Sequence, residues 1–139
     1  MQQGIIEKNH MDILWHDYAL NKEDTIPITK AGLIEKASVV GRCGMMLLSC
    51  GTGAWRVRSS MNTLSRELGI SCTADIGLMS IEYTCFDGEN CFSQSLCLTN
   101  TGVNTSKLNR LENFINDFPT KEKYLSGEQI HSYLDEIER

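Results

Sequence analysis

The spacing of apolar residues changes twice along this chain, and this change constrains the fold more than any other feature. Over residues 30–69 apolar side chains recur every three or four positions, as on one face of a helix. Over residues 71–99 they alternate with polar side chains, as in strands with one buried face. Helical spacing returns from residue 106 onward, and the capping-box spacing between Ser126 and Gln129 predicts the start of a last helix. The order ααβββαα predicts an α+β fold, in which an antiparallel sheet of three or more strands carries helices packed on one face.

Two glycines, Gly41 and Gly44, lie inside the first helical stretch, residues 30–49. Glycine in a helix interior costs roughly 0.5–1 kcal/mol relative to alanine. Such a cost is usually tolerated where a neighbouring helix approaches closely. We therefore expect a close helix–helix approach at these glycines, with residues 30–69 forming either a helical pair, the second helix at about residues 54–68, or one kinked long helix.

The six cysteines indicate neither disulfides nor zinc, because the chain has no CxxC motif and no Cys/His spacing of the zinc type. They fall in apolar helical or strand-like stretches, where free cysteine behaves as a small buried hydrophobe. Asp87-Gly88 marks a hairpin turn, and a three-residue loop at 87–89 would place Cys85 and Cys91 face to face. We predict reduced thiols, no metal site and no cofactor.

The length of 139 residues suits one domain. Residues 1–29 are polar and irregular, with Trp15, Tyr18 and Leu20 as scattered apolar groups, and are predicted to form a polar N-terminal tail that docks on the domain or on a partner. Residues 30–139 are predicted to form a single α+β soluble domain. No run of about 18–20 apolar residues occurs, so the chain as given is not expected to cross a bilayer.

Charge is divided unevenly along the chain. Residues 41–70 contain four arginines against Glu67 alone, whereas residues 71–139 contain eleven acids against five bases. Four arginines spread along helix are typical of a solvated helical face with internal ion pairs. They do not form the basic patch by which nucleic acid is bound, so no nucleic-acid partner is predicted.

The sequence lacks motifs for phosphate or nucleophilic chemistry. The glycines of residues 41–53 are not followed by Lys-Ser/Thr and no strand precedes them, and no Gly-x-Ser-x-Gly occurs. Asp75 and Glu82 interrupt strand-like runs, which favours solvent-facing positions over an acid/base pair. We predict no catalytic residue. A hydrolase or amidase with a serine or cysteine nucleophile assembled in space is the alternative.

The stretch Gly41–Val57, GRCGMMLLSCGTGAWRV, resembles the helix that opens the N-terminal cytoplasmic domain of the threonine/serine exporter family. In that family a small- and leucine-rich helix leads to a Gly-Ala-x-x-Tyr-Arg-Val type motif. Here the motif is Gly53-Ala54-Trp55-Arg56-Val57, with Trp for Tyr and a spacing one residue shorter. The resemblance continues through the strands and the terminal helix and covers about residues 38–138.

This resemblance implies a role in transport. Family members carry this part on the cytoplasmic side of the cell membrane, ahead of a bundle of transmembrane helices. They export threonine and serine, or small dicarboxylates where the protein is split into two polypeptides. We expect a regulatory, gating or assembly role and no enzymatic one, with the chain's own transmembrane domain or a separate membrane subunit as partner. The chain is then either a piece of a longer membrane protein or a solitary relative.

Five residues are predicted to serve a substrate or an interface: Trp55, Arg56, Arg58, Asp75 and Glu82. Arg56 stands beside the break between two helices, where it would pair with Asp75 or with the carboxylate of an amino-acid ligand. A purely structural ion pair is the alternative. Because antiparallel sheets with an uncovered face or a free edge tend to pair, a homo-oligomer, specifically a dimer, is also expected.

Overall fold

The computed structural model describes residues 7–9, 13–19, 26–99 and 101–139. In chain order they form β1 (Glu7–Asn9), α1 (Leu33–Ser49), α2 (Ala54–Glu67), β2 (Ser71–Ile76), β3 (Ser80–Phe86), β4 (Cys91–Cys97), α3 (Thr105–Asp117) and α4 (Gly127–Glu138). Short 3-10 turns lie at Trp15–Tyr18, Ile28–Lys30 and Glu122–Tyr124. The predicted α+β class is confirmed. The sheet order is β1-β4-β3-β2, with β1 added parallel to β4 and the other pairs antiparallel.

The helices cover one face of the sheet, as the alternation in the strands predicts. On β3, Ile81, Tyr83 and Cys85 are buried whereas Glu82 is exposed. The helices α1 and α2 pack on this buried face, and α3 and α4 pack in turn against α1. The central helix α1 is therefore apolar on nearly all sides. One apolar cluster runs from the sheet to the outer helices and includes Met45, Met46, Met61, Leu64, Leu96, Phe114 and Leu134.

The two glycines of α1 permit close contacts, but with different neighbours. A Cβ on Gly44 would lie 2.6 Å from the sulfur of Met61 on α2, so this glycine serves helix–helix packing as predicted. A Cβ on Gly41 would instead overlap the ring and hydroxyl of Tyr83 on β3. The Tyr83 hydroxyl donates to the carbonyl oxygen of Ala37 at 3.1 Å. Gly41 therefore lets α1 approach the sheet rather than α2.

Side-chain caps fix the starts of the last two helices. The Asn104 side chain accepts a hydrogen bond from the backbone N–H of Lys107 at 3.0 Å and caps α3. Ser126 and Gln129 form the predicted capping box at the start of α4. The first helix begins at Leu33, later than predicted, because the 3-10 turn at Ile28–Lys30 precedes it.

The hairpin between β3 and β4 differs from the three-residue loop considered above. Its loop has four residues, 87–90, and the Asp87 carboxylate accepts the backbone N–H groups of residues 89 and 90. The extra residue places Cys91 opposite Phe86, so the expected Cys85–Cys91 pairing is wrong. Cys85 lies opposite Cys72 on β2 instead. All six cysteines are free.

The described parts of the N-terminal segment pack against the rest of the chain. Trp15, Ala19 and Ile28 are buried, and the turn at Trp15–Tyr18 contacts α1 and α4. The backbone N–H of Ile28 donates to the carbonyl oxygen of Leu125 at 2.7 Å. Leu20, also predicted to belong to this segment, lies outside the described residues.

Candidate functional site

A groove of about 510 Å³ lies on the face of the sheet that the helices leave uncovered. It is formed by outward-facing side chains of β2, β3 and β4, since every second residue of a strand points to the same face. Its polar walls come from Thr73, Asp75, Glu82, Thr84, Ser93 and Ser95. Among the described residues that line it, none is a lysine, an arginine or a histidine. The groove is therefore acidic and rich in hydroxyl groups.

The strand register arranges these side chains in two rows across the sheet. Asp75 lies opposite Glu82, and Glu82 lies opposite Ser95. We call these three residues the acidic row. Directly opposite residues have Cβ atoms about 4.5–5.5 Å apart, so the two carboxylates are close neighbours. In the second row, the hydroxyls of Thr84 and Ser93 are hydrogen-bonded at 2.7 Å.

Ser95 is the buried member of the acidic row. It is only 6 % exposed. Its Oγ has no hydrogen-bond partner among the residues that the structure describes. Buried hydroxyls normally have a partner, so this one is an exception that requires an explanation. The sequence offered no signal for it beyond its position in a strand.

The three predicted residues of α2 do not reach the groove. Arg56 pairs with Glu112 on α3 and not with Asp75, so it forms a structural ion pair, the other possibility named for it. Arg58 donates through Nε to the carbonyl oxygen of Ala74 at 3.3 Å, at the outer edge of β2. Asp75 and Glu82 are therefore brought together, whereas the arginines are separate from them.

Trp55 belongs to an exposed apolar region at one end of the domain, where α1 is followed by α2. Its side chain is 74 % exposed. Leu78, in the turn between β2 and β3, and Val103, which lies beside Gly51, are also largely exposed. Leu78 borders a surface groove of about 540 Å³. We call Trp55, Leu78 and Val103 the apolar end.

A buried polar network between α1 and α4 was not predicted. Arg42 is 4 % exposed. Its guanidinium donates to the Asp135 carboxylate at 2.6 Å, and to the Nδ1 and the carbonyl oxygen of His131 at 3.2 and 3.1 Å. A signal existed in the sequence, because Arg42 interrupts the apolar side of the first helix. Its partners, however, lie about ninety residues further along the chain.

The same network contains a serine–histidine hydrogen bond whose direction is wrong for catalysis. Ser38 Oγ lies 2.9 Å from His131 Nε2 and donates its own hydrogen to the carbonyl oxygen of Glu35 at 2.6 Å. Because Arg42 donates to Nδ1, the neutral imidazole carries its proton on Nε2 and donates to the serine. A nucleophilic serine requires the opposite direction. The contact is structural, and both side chains are fully buried.

His16 connects the N-terminal segment to this network. Its ring nitrogens lie 2.7 Å from an Asp135 oxygen and 3.2 Å from a Glu128 oxygen. Burial by itself lowers the pKa of His16, but the two carboxylates outweigh it and raise the pKa above 6.5. For Asp135, burial acts to raise the pKa, and the hydrogen bonds from Arg42 and His16 lower it below its usual value. Both shifts favour the charged, paired state.

Comparison with known proteins identifies one related family. The family model described as a threonine/serine exporter matches residues 38–139, which is more than half of the chain. No curated protein and no solved structure matches the chain. Among the described residues, no helix has both the length and the apolar character needed to span a bilayer.

Proposed function

Since this chain belongs to the threonine/serine exporter family, we propose that it is the cytoplasmic part of such an exporter and that it regulates, gates or assembles the membrane-spanning part. One observation carries this proposal, namely that the family match extends from within α1 to the end of α4. The matched region thus includes both helical layers and the three antiparallel strands.

The direction of the hydrogen bond between Ser38 and His131 argues against an enzymatic role. The serine hydrogen is directed at a backbone carbonyl, and the histidine donates to the serine instead of accepting from it. This arrangement offers nothing to the hydrolase alternative.

The apolar end supports a partner on the membrane side. Trp55, in the first turn of α2, and Leu78 and Val103, in the segments that precede β3 and α3, are exposed apolar side chains. Exposed apolar patches of this kind are typical of interaction sites. We propose that the apolar end contacts the transmembrane domain or a separate membrane subunit of the exporter.

Oligomerisation and ligand binding are further parts of the proposal. Within the part of the chain that the structure describes, the edge strand β2 pairs on one side only, and free strand edges pair readily with a second copy. A homodimer is therefore proposed, on the cytoplasmic side of the cell membrane. An amino-acid ligand of this domain is proposed from the family alone. The described residues that line the groove on the open sheet face offer no cationic side chain to the α-carboxylate of an amino acid.

A transport assay tests the proposal. Cells without other threonine efflux are loaded with a threonine dipeptide, and extracellular threonine is measured when the chain is produced together with the membrane part. We expect Trp55→Ser to reduce the export rate at least threefold. The control is Tyr124→Ser, which removes another exposed aromatic side chain at a distant 3-10 turn. Export that is unchanged when the chain is omitted would contradict the proposal.

A further inference from the structure

Two cysteines, Cys72 and Cys85, lie directly opposite each other on the adjacent strands β2 and β3. Both side chains point to the face of the sheet that the helices cover, where they belong to the core or pack against it. Opposite residues of antiparallel strands have Cα atoms about 4.5–5.5 Å apart, and disulfides join residues with Cα atoms about 4.4–6.8 Å apart. The strand register therefore already has the spacing that a disulfide requires.

The two thiols of this pair are also in contact. They are hydrogen-bonded to each other, and both are free thiols in the structure. Among the described strands, no other cysteines are register partners. Cys91 lies opposite Phe86, and Cys97 lies between Ser80 and Asn9. The strands thus bring together one pair of thiols that could be oxidised to a disulfide without a shift of register.

The two cysteines differ in exposure and in acidity. Cys72 is partly exposed on the edge strand β2, whereas Cys85 is fully buried on β3. The hydrogen bond from Cys85 lowers the pKa of Cys72 and outweighs burial, with a further contribution from Ser65 of α2. The same hydrogen bond, together with burial, raises the pKa of Cys85. Because the thiolate is the reactive form, Cys72 is the thiol that an oxidant attacks first.

We propose that Cys72 and Cys85 form an oxidation site for hydroperoxides, at which a small peroxide converts the two thiols into a disulfide that joins β2 to β3. The oxidant has to be small, as hydrogen peroxide is, because Cys72 is only partly exposed. The proposal does not depend on the transport function and adds a reversible covalent modification to the domain.

The reaction takes place in two steps. The Cys72 thiolate attacks one oxygen of hydrogen peroxide, so that an S–O bond forms, the O–O bond breaks and the hydroxide that leaves takes up a proton to become water. Cys72 is then a sulfenic acid, oxidised by two electrons. In the second step the Cys85 sulfur attacks the Cys72 sulfur, the S–S bond forms and the S–O bond breaks. The hydroxide leaves with the proton of Cys85 as a second water.

The disulfide would fix the edge of the sheet. Within the described residues β2 pairs with β3 alone, and α2 packs against β2. A bond across the two strands restricts the unfolded chain and so favours the folded one. The oxidised chain is therefore expected to resist unfolding better than the reduced chain does.

Peptide mapping identifies the bond. The reduced chain is exposed to hydrogen peroxide, the remaining thiols are blocked with N-ethylmaleimide in urea, and the chain is cleaved after glutamate. This cleavage places Cys72 in fragment 68–82, Cys85 in fragment 83–89 and the next two cysteines in fragment 90–112. We expect the first two fragments to be joined, with a mass two hydrogens below their sum, and to separate on reduction.

Variants separate the roles of the two thiols. In Cys85→Ala the oxidation of Cys72 is expected to stop at the sulfenic acid, which dimedone labels. In Cys72→Ser the labelling of Cys85 is expected to be at least tenfold lower, because that thiol is fully buried. The control is Cys91→Ser, which removes an exposed thiol from the next strand and is expected to leave the yield of joined fragments unchanged. Far-ultraviolet circular dichroism checks that each variant is folded.

Urea unfolding gives a second readout that needs no variant. The oxidised chain is expected to unfold at a higher urea concentration than the reduced chain, and dithiothreitol is expected to abolish the difference. Oxidation of Cys91 in a chain whose fragments 68–82 and 83–89 stay separate would overturn the proposal. So would a main product in which fragment 68–82 is joined to fragment 90–112.

Discussion

Removal of the Arg42 guanidinium is expected to have a large effect on stability. In Arg42→Met, the buried aliphatic part of the side chain is largely kept, but His131 Nδ1 loses its donor and Asp135 loses its buried partner. A buried acceptor without a partner costs about 1–3 kcal/mol, and breaking a fully buried ion pair costs roughly 3–5 kcal/mol. Asp135 is 41 % exposed and can be hydrated, so we expect a loss of about 3 kcal/mol in the free energy of unfolding.

The matched control is Arg56→Met. Arg56 also forms an ion pair, with Glu112, but its side chain is 58 % exposed, and exposed pairs contribute about 0–1 kcal/mol. Both variants are unfolded in urea at pH 7 and followed by far-ultraviolet circular dichroism, with the free energy of unfolding obtained by linear extrapolation. A loss for Arg42→Met within 1 kcal/mol of the loss for Arg56→Met would refute this reasoning.

Three further perturbations have defined outcomes. Gly41→Ala is expected to cost about 1–3 kcal/mol in urea unfolding, because its new methyl group overlaps buried Tyr83. In timed alkylation read by mass spectrometry, Cys72 should react before Cys43. A hydrogen bond from the neighbouring Cys85 thiol lowers the pKa of Cys72, whereas burial raises the pKa of Cys43 to about 12. Equal rates of alkylation would contradict this prediction. His16 has a raised pKa, so its stabilisation is complete below about pH 6.5 and is lost as pH rises through the folded-state pKa. The stability advantage over His16→Gln should therefore shrink between pH 6 and pH 8, and a constant difference would contradict this.

The fold could be predicted from the sequence wherever a local pattern decided the structure. Alternation identified the buried face of β3, and the Ser126–Gln129 spacing identified the start of α4. Gly44 was correctly expected at a close helix–helix approach, which is made with α2. These features depend on side chains within a few positions of each other, or on one repeating period.

Features that depend on strand register could not be predicted in the same way. The sequence marks Asp75 and Glu82 as outward-facing residues, but their direct opposition depends on the length of the turn between β2 and β3. A single extra residue in the next loop was enough to move Cys91 from Cys85 to Phe86. Because side chains alternate between faces, a shift of one residue exchanges every contact of a strand.

The network around Arg42 was missed for another reason. Its ion pair joins residues 42 and 135, and its serine–histidine contact joins residues 38 and 131. Only tertiary packing of α4 on α1 brings these groups together. The sequence pattern favoured Arg56, which lies within a conspicuous motif. Its side chain is exposed, however, whereas that of Arg42 is buried.

The buried position of Trp15 shows that the family match and the packed core have different N-terminal boundaries. The family match starts at residue 38, inside α1, whereas Trp15 lies in the core and stacks on His131 with ring centroids 6.2 Å apart. A fragment cut at residue 38 would lose the first turn of α1 and the indole that covers this histidine. The matched segment is therefore shorter than the set of residues that build the core, and an expression boundary chosen at residue 38 would expose part of that core to water.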